Sequence, residues 1–251
     1  LMQKCSICIN LIGILFENKK NHFSLIHTEL PSLLSKVATK NSIDQFIHVS
    51  ALGIESAFDS KYALSKLEGE QKVRQNFSSA TILKPSIVYS VDDNFTTNLM
   101  RLLGILPIIP LYYSGKTKFT PIHVSDFADI IFDVVKKKIV GETIECIGPE
   151  VLTFKEIIIK ILSSIKKKRL LLSLPLPLAK INARILQLMP NPLLTTDQLT
   201  LLKYDNVVSK KYKTNFDFKI EAKKKFEEEI NRYSFNWTTG GQVSKKNKKV
   251  N

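Results

Sequence analysis

Cysteine is scarce in this sequence: Cys5, Cys8 and Cys146 are the three among 251 residues. Three thiols cannot staple a secreted scaffold, so the core has to come from apolar burial in a reducing compartment. A hydrophobic share of 44% is enough for that, in one large domain or a domain with an appendage. Arginine is scarce too, since Arg74, Arg101, Arg169, Arg184 and Arg232 are the five among 37 basic residues. Base and phosphate readers lean on the guanidinium fork. The basic runs Lys136 to Lys138, Lys166 to Arg169, Lys223 to Lys225 and Lys245 to Lys249 also lack the interleaved aromatics that stack bases. The formal charge of +14 therefore reads as a lysine-rich solvated surface with no specific nucleic-acid partner. Contact with an anionic membrane surface is the residual functional reading.

Long hydrophobic runs are missing as well. Cys5 to Phe16 is interrupted by Asn10, is followed by no small-x-small cleavage site and is too short to span a bilayer. Leu170 to Leu178 carries two prolines and is equally short. The chain thus reads as soluble or peripherally bound. Its nine glycines are scattered, and none forms the Gly-rich turn that holds a pyrophosphate on backbone N–H groups at a helix N-terminus. The first residue is Leu1 and an apolar strand follows almost at once, the pattern of a chain that begins in mid-fold.

Hydrophobic spacing supplies the elements. Ile7 to Ile14 is a continuous apolar run, as in a strand covered on both faces. Apolar residues recur at helical spacing over Ser24 to Lys40, with Pro31 in or near the first turn. Phe46 to Val49 is a second strand, Tyr62 to Asn76 a helix and Thr81 to Val88 a third strand. This alternation predicts a parallel α/β sheet. Farther on, Asn98 to Leu106 reads as a helix and LPIIPLYY (Leu106 to Tyr113) as a proline-punctuated loop. Lys118 to Val124 and Gly141 to Ile147 read as strands, with a helix from Ser125 to Lys137 between them. Helices are expected over Thr153 to Ile165, Leu176 to Met189, Asp197 to Tyr204 and Glu221 to Tyr233.

The sharpest chemical constellation is Tyr62-Ala-Leu-Ser-Lys66. Residues four apart on a helix stack on one face, which sets a phenol beside an ammonium. A phenol that exchanges protons at neutral pH needs its pKa brought down by about two to three units, and a nearby fixed cation acts in that direction. On spacing alone such a pair is common at surfaces, but this helix follows a buried strand ending at Ser50, and sheet ligands bind at the carboxyl ends of strands. Cys5 and Cys8 have a redox or zinc spacing, yet they sit in a strand without a second pair. No metal site is expected.

FIHVSALG, YALSKLEGE, ILKPSIVYS and FTPIHVSDFADI, in that order and spacing, resemble the second half of an atypical short-chain dehydrogenase/reductase. PNPLLTTDQLTLLKYDNVVS (Pro190 to Ser209) and NLIGIL (Asn10 to Leu15) are similar to a narrower branch, the NAD(P)H-binding accessory subunit of respiratory complex I and its bacterial relatives. The resemblance implies an incomplete Rossmann-like parallel sheet with a smaller, mainly helical C-terminal region. Residues 1–138 would be the second half of the NAD(P)-binding domain, 139–236 the smaller region and 237–251 a disordered basic tail. Tyr62 would be the general acid/base, with Lys66 lowering its pKa and holding the nicotinamide ribose. Gly13 would lie near the ribose-phosphate part, and Pro85, Ser86 and Ile87 would line the nicotinamide pocket. His123 and Asp126 would anchor a helix start.

Three departures qualify that picture. The third catalytic position, a Ser or Thr in the family, falls on Ala51, with Ser50 one residue early as the candidate substitute. His27 stands where related enzymes often carry Asn and reads as a packing residue. The Gly-rich turn belongs to the family's first strand, which pairs with the strand assigned here to Ile7 to Ile14, so that strand is expected at an unpaired edge. The expectation is that NAD(P)H is not bound by these residues alone and that an N-terminal partner polypeptide or respiratory complex I completes the site. Location follows as bacterial cytoplasm or mitochondrial matrix, peripheral at the inner membrane. Two other readings stay open: an NAD(P)-dependent reductase or epimerase of a small carbonyl substrate, and a truncated, non-functional gene product.

Overall fold

The computed structural model describes residues 5–189, 192–238 and 241. The expected basic tail, apart from 237, 238 and 241, lies outside them. In chain order the elements begin with β1 (Ile7–Asn10), a π-helical turn (Ser24–Glu29) running into α1 (Leu30–Lys40), β2 (Gln45–Val49), α2 (Lys61–Asn76) and β3 (Thr81–Pro85). Next come β4 (Val88–Tyr89), α3 (Thr96–Ile105), β5 (Ile108–Leu111), β6 (Lys118–Phe119), β7 (Ile122–His123) and α4 (Val124–Lys136). The remainder is β8 (Thr143–Cys146), β9 (Leu152–Thr153), α5 (Phe154–Ser164), β10 (Leu170–Ser173), α6 (Leu176–Leu186), α7 (Thr196–Leu201), β11 (Lys213–Thr214) and α8 (Phe226–Tyr233).

The main sheet is parallel, in the order β1-β2-β3-β8-β11. β2 (QFIHV) and β3 (TILKP) are covered on both sides, so their polar residues Gln45, His48, Thr81 and Lys84 are buried along with the apolar ones. One face, with Ile47, Leu83, Ile144 and Cys146, packs on α4 through Phe127, Ile130 and Val134. The opposite face carries Phe46, which packs with Val73 and Phe77 at the end of α2 and with Ala38 of α1. A further apolar core joins Met100 and Leu103 of α3, Ile157 and Ile161 of α5 and Phe226 and Ile230 of α8.

Several boundaries differ from the sequence reading, each for a physical reason. β1 stops at Asn10, whose side-chain oxygen accepts the Ile12 N–H at 3.1 Å and turns the chain out of the sheet. The strand expected over Thr81 to Val88 breaks after Pro85, which brings no N–H to a ladder, and Val88–Tyr89 pairs instead with Ile122–His123. LPIIPLYY is not a loop, because Ile108–Leu111 pairs in parallel with Leu170–Ser173. β8 and β11 lie beyond residue 138 yet belong to the main sheet, so the sheet is not confined to 1–138.

Gly69 sets how closely α2 approaches the π-helical turn. A Cβ on Gly69 would overlap the backbone carbonyl of His27. Thr28 Oγ1 also donates to the Ser65 carbonyl at 3.0 Å across the same seam. Gly69→Ala is therefore expected to destabilise the fold by about 1–3 kcal/mol despite alanine's better helix propensity. Urea unfolding checks this; an unchanged midpoint would show that the seam relaxes freely.

Candidate functional site

Tyr62 and Lys66 both lie on α2, whose start is held from far along the chain. Ser60 caps the helix by accepting the Ala63 N–H at 3.2 Å. The Asp197 carboxylate of α7 accepts from Ser60 Oγ at 2.8 Å, the Lys61 N–H at 2.7 Å and the Tyr62 N–H at 3.2 Å. An anion at the positive end of a helix is favourably placed. The Tyr62 ring stands edge-on to His27 at 5.2 Å and to Phe23 at 5.8 Å. Among the described residues its hydroxyl makes no hydrogen bond, whereas Lys66 Nζ donates to the Val49 carbonyl at 3.2 Å.

The expected depression of the phenol is not what this environment gives. Burial and then the Asp197 charge push Tyr62 up to about 12. Lys66 is the group drawn down, to about 8, by burial, with Glu70 acting against it. Helical spacing put the two side chains on one helix but could not report the loss of water around them.

His27 holds the turn that follows β1. Its Nε2 accepts the Ile14 N–H at 3.1 Å, so the ring proton sits on Nδ1 and faces Ser65 Oγ at 2.9 Å. That hydroxyl passes its own proton to the Tyr62 carbonyl at 2.8 Å. Burial, then the Lys66 charge, lowers His27 to about 3, and the neutral ring is fully used in packing, as the sequence reading expected. Gly13 is brought directly over Lys66: a Cβ there would sit 3.2 Å from Lys66 Nζ and 3.7 Å from His27 Nε2.

Among the described residues no hydrogen bond joins Ser50 to Tyr62. Its hydroxyl donates to the buried Glu70 carboxylate, which also receives Lys84 Nζ at 2.9 Å. Lys84 Nζ further meets Glu55 and lies 5.2 Å from the Tyr212 ring centroid. Pro85 is the last residue of β3, and Ser86 and Ile87 follow it. The Ser86 hydroxyl donates to Asn206 Oδ1 at 2.5 Å and accepts the Thr120 N–H at 3.2 Å, so it serves as a structural link. Asn206 Nδ2 donates in turn to the Leu52 carbonyl at 2.6 Å. His123 caps α4 through Ser125, and Asp126 accepts the Lys224 N–H at 2.9 Å.

Sequence reasoning missed Glu70, Lys84, Asp197 and Asn206 as site-shaping residues. Two signals were present: Lys84 is a charge inside an apolar strand, and Glu70 falls one turn beyond Lys66. Asp197 and Asn206 both lie within the Pro190 to Ser209 motif.

The residues fit the ribose-nicotinamide part of a dinucleotide. Lys66 has one of its three protons placed on Val49, the Tyr62 hydroxyl is unengaged among the described residues, and Gly13 leaves the space above Lys66 without a side chain. Among the described residues no cluster of three or more His, Cys, Asp or Glu could hold a metal ion.

Two stability measurements check the electrostatics. Since the folded-state pKa of Lys66 lies below its unfolded value, its burial costs stability in full below pH 8, and that cost is relieved as pH rises toward 10.5. Lys66→Met should thus stabilise the fold at pH 7 by an amount of order 3 kcal/mol, with the gain shrinking through this window. A gain independent of pH would show that Lys66 carries no such penalty. Lys84→Met should instead cost about 3–5 kcal/mol, because Glu55 and Glu70 lose the cation between them, and the double variant with Glu70→Leu should recover part of it. Additive losses in that cycle would show the pair is not coupled.

No protein-family model matches the chain. Among curated proteins, it is 27% identical over 217 residues to the mitochondrial NADH-ubiquinone oxidoreductase 40 kDa subunit of Neurospora crassa, covering 86% of this chain and 57% of that protein. It is 28% identical over 221 residues to the mitochondrial NADH dehydrogenase (ubiquinone) 1 alpha subcomplex subunit 9 of Arabidopsis thaliana, covering 83% of this chain and 55% of that protein. The chain thus spans about half the length of the curated relatives it matches. Its fold matches a human epimerase family protein solved with NADPH at a TM-score of 0.67 and 13% identity, covering 93% of this chain and 84% of that one. Sequence and fold together make this chain a relative of those mitochondrial complex I subunits, built on the Rossmann-type fold of the short-chain dehydrogenases and epimerases.

Proposed function

We propose that this chain serves as a subunit associated with NADH:ubiquinone oxidoreductase, doing structural or assembly work rather than turnover. The similarity to two mitochondrial subunits over more than four-fifths of the chain supports this best. The site geometry supports the second half of the reading. Ser50 is held by Glu70, away from the role of polarising a carbonyl, and Tyr62 is pushed up to about 12, the wrong direction for proton exchange at neutral pH. On this reading NAD(P)H meets Tyr62, Lys66 and Gly13 with its nicotinamide ribose, and Pro85, Ser86 and Ile87 line the ring's side. The diphosphate cradle comes from sequence outside these 251 residues or from a partner polypeptide. The relatives' names support a mitochondrial location; we read it as the matrix, peripheral at the inner membrane, with a bacterial cytoplasm as the alternative. We read residues 1–138 as centred on the nucleotide and 139–236 as the smaller region.

A reductase or epimerase acting on a small carbonyl is the second reading, favoured by the unengaged Tyr62 hydroxyl one turn from Lys66. Tagging the chain in its own cells separates the two. Comigration with NADH-oxidising complex I on native gels is expected, and Tyr62→Phe should leave both comigration and complex activity unchanged. Loss of the chain's contribution on Tyr62→Phe, with assembly intact, would favour the enzyme. Calorimetric titration with NADH and NADPH is expected to show no tight binding by the isolated chain; tight binding would sink the external cradle.

A further inference from the structure

Two stretches of this chain carry no acidic residue: 94–125, with Arg101, Lys116 and Lys118, and 157–196, with seven basic residues. They meet as the parallel pair β5–β10, in the register Leu170↔Ile108 and Leu172↔Pro110. Leu171, Ile109 and Leu111 turn toward the protein. Leu170, Leu172 and Ile108 remain 60%, 52% and 50% exposed, so the outer side of this small sheet is apolar. Two residues after β10 the chain enters α6.

α6 inverts the usual pattern of a surface helix, in which large apolar side chains face the core and charges face water. Its buried contacts come from the small residues Ala179 and Ala183. Leu178, Ile181, Ile185 and, just beyond the helix, Leu188 recur three and four apart and are 53%, 53%, 62% and 82% exposed. Lys180 and Arg184 form an exposed row four apart next to this stripe on the helical wheel. Lys166 and Lys168 add exposed cations just ahead of β10, while Lys167 and Arg169 are occupied by the Gly104 and Leu103 carbonyls. An apolar stripe bordered by cations, in a segment without a carboxylate, complements a surface that is both apolar and negative. No helix among the described residues is long and apolar enough to cross a membrane, so the fitting geometry is a helix lying in the interface plane.

We propose that α6, with the outer face of β5–β10, docks on the surface of an anionic phospholipid bilayer, its Leu178-Ile181-Ile185-Leu188 stripe entering the acyl boundary and Lys180 and Arg184 meeting headgroup phosphates. This surface deepens the peripheral membrane contact of the reading above and rests on no other part of it: nucleotide binding or complex I association can fail while vesicle binding persists, and the reverse. The full chain should float with vesicles of phosphatidylcholine plus phosphatidylglycerol and stay behind with phosphatidylcholine alone. Lys180→Glu with Arg184→Glu should weaken that binding at least about tenfold, and added salt should weaken the wild type similarly. Ile181→Asp with Ile185→Asp should weaken it as much; these side chains are exposed, and circular dichroism confirms folding. The basic tail is unchanged in both variants, so a loss is attributable to α6. Flotation of either variant at wild-type level would overturn the proposal, as would wild-type chain that ignores anionic vesicles. A dimer in size exclusion that Ile181→Asp with Ile185→Asp turns into monomer, with flotation unchanged, would assign the stripe to a second copy of the chain instead.

Discussion

The Glu70 carboxylate organises the face of the sheet beneath α2. It receives the Ser50 hydroxyl and the Lys84 ammonium, and its charge opposes the loss of protonation that burial imposes on Lys66. Two buried cations beside one helix would be strongly destabilising without it. The layer is satisfied unevenly. At the Lys84 end Glu55, Glu70 and Tyr212 surround the ammonium. Toward β1 the count falls short: among the described residues Lys66 has one carbonyl, and His48 Nε2 is buried without a hydrogen-bond partner. Asn10 Nδ2 can only donate to His48 Nδ1, which leaves the His48 proton on that unpartnered nitrogen. The well-paired end reads as architecture, and the under-paired end lies next to Gly13.

A segment some 130 residues downstream keeps this helix and the strand ends in place. Asp197 caps α2, Asn206 links Ser86 to Leu52, and the Ser209 N–H meets the Glu145 carboxylate at 3.0 Å. The motif that carried the sequence resemblance is thus a clamp. Asp197 meets the backbone N–H groups at the start of α2 and Asn206 the Leu52 carbonyl after β2, groups a loop end would otherwise leave unpaired, while the Ser86 hydroxyl after β3 and the Glu145 carboxylate of β8 are held through side chains. Such a clamp fixes the relative position of strand ends and helix start whether or not any reaction occurs there.

Much of the sheet was legible because short strand-like segments alternate with stretches of helical spacing, even though the covered strands β2, β3 and β8 carry His48, Lys84 and Glu145 among their apolar residues. β5 was not, because Pro107 and Pro110 look like loop residues; Pro110 is tolerated where the strand has one partner, β10. β11 is two residues long and leaves no periodic signal. Within the site, spacing correctly put Tyr62 and Lys66 on one helix and marked His27 as packing. The direction of the phenol's pKa was out of reach, because it depends on desolvation and on Asp197, and neither is encoded in the interval between positions 62 and 66. Ser50 looked available for the same reason: its partner Glu70 is twenty residues away.

β1 is the outermost strand of the sheet, as expected, but it is not covered on both faces as its continuous apolar run suggested: Ile7 and Ile9 are 38% and 40% exposed. Parallel strands are ordinarily covered and paired on both sides, and a bare apolar edge invites a further strand. Gly13 lies three residues past this strand, over Lys66. A strand added in parallel to β1 would end beside Gly13, so the turn following it would face the under-paired end of the buried polar layer. On the reading proposed above, the edge strand β1 and the half-site around Lys66 and Gly13 would then lie at one place, and a single added strand-turn-helix unit would serve both.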